Sequence, residues 1–146
     1  MISIGFTGTR HGMSELQHQA AVALIDEIAP PAVFYAHHGD CIGADKQFHD
    51  ACRSTNGRAY VVVHPGPDGA RGWRAGCLGD ERRDPAPHMW RNATIVAAST
   101  VMLAAPAEMT EQQRGGTWAT IRMARKAGKP LAIVFPDGRV EKERWV

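Results

Sequence analysis

The chain lacks most of the features that would settle a function at once. Its three cysteines, Cys41, Cys52 and Cys77, form no CxxC pair. An odd, unpatterned set argues against a disulfide framework and fits a reducing cytoplasm, which is the expected location. Long hydrophobic runs are missing as well. The longest charge-free apolar stretch, residues 93–107, is broken by Thr94, Ser99, Thr100 and Pro106, well short of the ~20 residues of a membrane span. Arg10 follows the first apolar segment directly, so no signal-peptide core and no membrane partner are expected. The seven histidines show neither finger-like spacing nor an i, i+4 pair across a helix, so no metal and no cofactor are expected. Charge of one sign is scarce too. Seventeen Lys and Arg against fifteen Asp and Glu leave a net charge of +2. Without a basic stripe, nucleic acid is an unfavoured partner and single-stranded DNA binding the weakest reading. A small anionic ligand is still tolerated. The glycines of the first loop, Gly5, Gly8 and Gly12, do not spell GxGxxG, and GxxxxGK[ST], GxSxG and HExxH are missing.

What is present is a 146-residue chain, 44% hydrophobic and 22% charged, the size and composition of one globular domain over residues 1–146. Apolar segments alternate between strand and helix patterns. Residues 2–6 read as a strand, followed by a Ser14–Gln17 capping box and an apolar stripe from Leu16 to Ile28 that Pro30 stops. Strands are expected at 33–36, 59–63, 100–104 and 131–135. Helical faces separate them: Ala44 to Cys52, Met89 to Ala97, and Ile121 to Ala127, ended by Gly128 and Pro130. The expected fold is therefore α/β, a Rossmann-like open parallel sheet of about five strands with helices on both faces. Residues 64–87 hold four prolines, five glycines and eight charges, a composition expected of a lid loop.

Open sheets of this kind bind ligands at the carboxyl ends of their strands, and the unusual residues gather there. Gly115-Gly116-Thr117 before a helix can hold phosphate on free N–H groups, or can be a plain turn with a threonine cap. Gly39 to Asp45 repeats the design after the second strand. Asp45 there is either a helix-dipole partner or an acceptor for a ribose hydroxyl. Arg91-Asn92 could clamp a phosphate or simply open a solvated helix. Of His37 and His38, alternation expects one to pack inward. Trp73, Trp90 and Trp118 could stack a base or fill the core.

In order along the chain these motifs are Gly8-Thr9-Arg10, His38-Gly39-Asp40-Cys41-Ile42-Gly43-Ala44-Asp45, Arg91-Asn92, and Arg114-Gly115-Gly116-Thr117-Trp118-Ala119-Thr120. So arranged, they resemble the SLOG superfamily in its YpsA-related branch, over nearly the whole chain. The resemblance implies a Rossmann-like fold and binding of a nucleotide or nucleotide-derived molecule. Phosphate would sit on Gly115 to Thr117, countered by Arg91 and Arg114, with the sugar at Asp45 or Asp40. It extends the candidate ligand contacts to Gly8, Thr9, Arg10, His38, Gly39, Gly43, Asn92, Trp118 and Thr120. A homo-oligomer, dimer or higher, is expected. More distant relatives called Lonely Guy are phosphoribohydrolases, which gives an alternative reading, N-glycosidic hydrolysis or base transfer on a nucleoside monophosphate. Another relative, DNA-processing protein A, binds single-stranded DNA. The chain departs from the Lonely Guy pattern where a glutamate is thought to assist base departure, because Trp118, Ala119 and Thr120 follow the Gly-Thr pair. The acids left to replace it are Asp40, Asp45, Glu108 and Glu111, and catalysis on this reading falls to Arg91 with Asp40 or Asp45.

Overall fold

The computed structural model describes residues 1–67 and 72–145. Strand β1 (Ser3–Gly8) leads to helix α1 (Glu15–Ile28), β2 (Phe34–His38), α2 (Ala44–Arg53) and β3 (Ala59–Val63). After a long connection come β4 (Glu81–Arg82), α3 (His88–Ala98), β5 (Val101–Ala105), α4 (Gly116–Lys126), β6 (Leu131–Val134) and β7 (Val140–Glu143). Among the described residues these strands form one open sheet in the order β4-β3-β2-β1-β5-β6-β7. All pairs are parallel except β6–β7. The expected α/β fold is present.

Alternation along the strands divides the core into two layers. Ile4 and Phe6 of β1, Leu103 of β5 and Val134 of β6 meet Leu24 and Ile25 of α1 and Phe48 of α2 on one face. Met102, Ala104, Leu131 and Ile133 meet Ile95 of α3 and Ile121 of α4 on the other. The Phe6 and Phe48 rings stack 4.6 Å apart, tying β1 to α2. At α1 the capping box forms as expected, with the Gln17 N–H donating to Ser14 Oγ and Gln17 Oε1 accepting from the Ser14 N–H. Buried Gln17 then spends its amide N–H groups on the carbonyls of Pro106 and Val134.

Two strands exceed the expected five. β7 is a polar hairpin return after the Pro136–Gly138 turn, and its Glu141 and Lys142 blunt the sheet edge. β4 has two residues and pairs with Val62 and Val63. It belongs to the 64–87 segment, which is partly built into the fold: Cys77 is buried, and the N–H groups of Ala75 and Cys77 both donate to Asp40. Residues 68–71 of the expected lid lie outside the described residues.

Strand order reverses between β1 and β5, so the loops leaving them diverge and open a crevice at their carboxyl ends. Among the described residues no helix is long and apolar enough to cross a membrane.

Candidate functional site

A cleft of about 640 Å³ lies at this switch point. The β1–α1 loop supplies Gly8, Thr9 and Arg10, the β2–α2 loop supplies Gly39, Cys41 and Asp45, and α3 supplies Arg91 and Asn92. The far wall is Arg114 to Trp118 at the start of α4, and Trp73 reaches in from the long connection.

Helix α4 opens on Gly115 at φ 106°, and no side chain caps it. The threonine cap considered from the sequence is therefore not formed: Thr117 stands one residue inside the helix. A Cβ at Gly115 or Gly116 would meet no atom within 4 Å, so there is open space beside the first turn, whose N–H groups have no intrahelical acceptor. Arg114, exposed beside them, adds a cation. This end of the cleft has the polarity and room to receive an anion.

Arg91 and Asp45 form the cleft floor, and both are buried. Arg91 donates from Nε to Asn92 Oδ1 at 2.7 Å, and from one terminal nitrogen to the carbonyls of Gly39 (2.7 Å) and His64 (3.1 Å). Its other terminal nitrogen meets Cys41 Sγ at 3.8 Å and His88 Nδ1 at 3.2 Å. The expected helix-start arginine is thus a clamp joining the ends of β2 and β3 to α3. Gly39 leaves room for it, since a Cβ there would meet the guanidinium at 2.5 Å. Asp45 Oδ2 accepts N–H bonds from Gly39 and Cys41, each 3.1 Å. Burial raises this carboxyl to about 6, against the pull of those N–H groups and of Arg91. Burial and the adjacent Asp45 push the Cys41 thiol up to about 11, which leaves it a poor nucleophile.

Four expected contacts lie elsewhere. Asp40 is fully buried at φ 57°, its Oδ1 accepting the Cys77 N–H and its Oδ2 paired with Arg82 at 3.4 Å, so it anchors the long connection away from the cleft. His38 is fully buried behind the loop. Thr120 is buried, and its hydroxyl donates to the Gly116 carbonyl within α4. Gly43 lies under the loop at φ 86°, where a Cβ would strike the backbone of Thr9 and Arg10. The amide of Ala44 donates to Thr9 O, which seats α2 on the β1 loop. Trp118 does border the cleft but is buried, its Nε1 donating to Glu108 Oε1 at 2.9 Å. Glu111 instead pairs with Arg122 and Arg125. His88, which borders the cleft and meets Arg91, was not among the expected residues; only its place one turn before Arg91 could have suggested it.

Both His37 and His38 pack inward, rather than one of them. His37 Nδ1 lies 2.9 Å from His64 Nε2, and His38 Nε2 lies 2.9 Å from His49 Nδ1. The donor atoms of His38, His49 and Cys77 also fall within 4.8 Å of one another, close enough to hold a metal. Their hydrogen bonds assign them otherwise. His38 Nδ1 accepts the Asp40 N–H, so its proton resides on Nε2, which donates to His49 and has no lone pair for an ion. Burial pushes the Cys77 thiol up to about 12.

No protein-family model matches the chain, and no curated protein matches it.

Proposed function

We propose that the chain binds a nucleotide or nucleotide-derived molecule in the switch-point cleft. Phosphate takes the N-terminus of α4, and the sugar lies toward Asp45. The observation that carries this reading is the uncapped Gly115–Thr117 turn beside exposed Arg114, opening on a cleft at the reversal of strand order. Membership of the SLOG superfamily, suggested by the motif order, is part of the proposal. So is a cytoplasmic homo-oligomer; the three free cysteines support the reducing compartment. Titration calorimetry with AMP and with adenosine tests the phosphate site. AMP binding at least tenfold tighter, with the difference shrinking as salt rises, is the expected outcome. Equal affinities would contradict it.

One observation favours a second reading, hydrolysis of the N-glycosidic bond of a nucleoside monophosphate. Asp45, raised to about 6 at the cleft floor, has the affinity for a proton that a general acid–base group needs near neutrality. Protonated, it would supply the departing base nitrogen while the C1′–N bond breaks and its electron pair leaves with the base. A water oxygen would then bond to C1′ and return its proton to the carboxylate. Parent protein should release free adenine from AMP, and Asp45→Asn should bind AMP but release none. A parent that releases no base ends this second reading and leaves the first standing.

A further inference from the structure

Trp73 and Arg10 form a contact that the phosphate site does not use. The Arg10 guanidinium lies over the Trp73 ring, 4.2 Å from its centroid, and both side chains border the cleft. Trp73 is 47% exposed, although large aromatic side chains are usually covered. Arg10 is exposed, and among the described residues this ring contact is the one interaction its side chain makes.

Backbone contacts hold both residues in place. The Trp73 carbonyl accepts the Ile42 N–H at 2.8 Å, and its neighbour Arg74 bridges Cys41. Arg10 follows Thr9, whose carbonyl accepts the N–H of Ala44. An indole and a guanidinium are thus set on two pinned loops, the guanidinium carbon over the ring and both at the cleft. Three tryptophans border or approach this region, and the other two are unsuited. Trp118 is buried with its N–H on Glu108, and Trp90, 74% exposed, is not part of the cleft wall.

We infer that Trp73 is the platform for a flat heteroaromatic base, which takes the place of the Arg10 guanidinium on the indole face. The inference rests on the nucleotide reading above and narrows it: the ligand carries a stacking ring as well as a phosphate. A displaced guanidinium is free to face the ligand's negative charge, so the stack acts as a placeholder that the ligand replaces. Base–aromatic stacking is tolerant of base identity, so this subsite selects for a base without choosing which.

AMP and ribose 5-phosphate, which differ by the base alone, separate the two parts of the site. Parent protein should prefer AMP by about tenfold or more. Trp73→Ala should remove most of that preference while ribose 5-phosphate binds as before, and Trp73→Phe should restore most of it. Trp73→Leu, which keeps apolar bulk without a π face, should behave like Trp73→Ala and serves if the alanine variant fails to fold. Loss of both ligands together in Trp73→Leu would make the indole structural, and an unchanged preference would make it a bystander; either overturns the inference. A parent that binds both ligands equally overturns the platform and leaves the phosphate site standing. One that binds neither overturns the nucleotide reading and the platform with it.

Discussion

At the scale of single residues, Arg91 shows why motif residues and ligand contacts are different things. Sequence order placed it beside the cleft, and it is there, yet its strongest donors go to Asn92 Oδ1 and the carbonyls of Gly39 and His64. Removing it strands two backbone acceptors and leaves a hole beneath Gly39. Arg91→Ala should therefore cost about 2–4 kcal/mol of folding stability, read by urea denaturation. A variant as stable as the parent but deficient in AMP binding would return Arg91 to the role of phosphate clamp. Asp40 and Gly43 teach the same lesson. Their positive φ angles and buried backbone contacts serve the loop, and no spacing in the sequence distinguishes a residue that shapes a loop from one that touches a ligand. Trp73 was legible as an aromatic near the cleft, but not as the one of three that is both exposed and on the cleft wall, because that placement depends on contacts far away in the chain.

At the scale of elements, the ends of β2 and β3 and the middle of α2 share a feature that only tertiary contact reveals: neutral histidines paired in the interior. Burial lowers His37 to about 4 and His38 and His64 to about 3, below the ordinary value near 6.5. As pH falls through 6.5 the unfolded chain takes up protons that the fold refuses. Stability present above pH 6.5 is therefore lost until the folded protein itself titrates near 3 to 4. Asp45 runs the other way. Its value is raised to about 6, so its contribution is present below about pH 4 and lost as pH rises through 6. Three protons taken up and one offset leave about two, or roughly 3 kcal/mol per pH unit between pH 5.5 and 4. Denaturation free energies at pH 5.5, 5, 4.5 and 4 should trace that slope. A flat profile over this range would mean the histidine pairs are hydrated and charged rather than sealed.

At the scale of the whole molecule, the fold was legible because its signal is periodic and local. β3 falls on the expected residues, and β1, β2, β5 and β6 fall within two residues of their expected bounds, since buried parallel strands read as continuous apolar runs. β4 and β7 were not legible. Glu81–Arg82 is too short for any period, and Val140–Glu143 carries charges because it lies on an edge. The place of the cleft followed from topology, with strand order reversing beside β1. Its inner arrangement did not, because the histidine pairs, the Arg91 clamp and the Arg10–Trp73 stack each join segments distant in sequence.

The central claim is that the bare N-terminus of α4 receives a phosphate, and Gly116→Asp tests it most directly. Gly116 has open space around its Cβ position and an ordinary negative φ, so an aspartate fits without strain. A carboxylate in the first turn favours the helix dipole by about 0.3–1 kcal/mol, so the variant should melt at or slightly above the parent temperature. The same carboxylate fills and repels the place of the phosphate. Calorimetry should therefore show AMP binding weakened at least tenfold in a protein no less stable than the parent. A variant that is equally stable and binds AMP as tightly as the parent would contradict the claim.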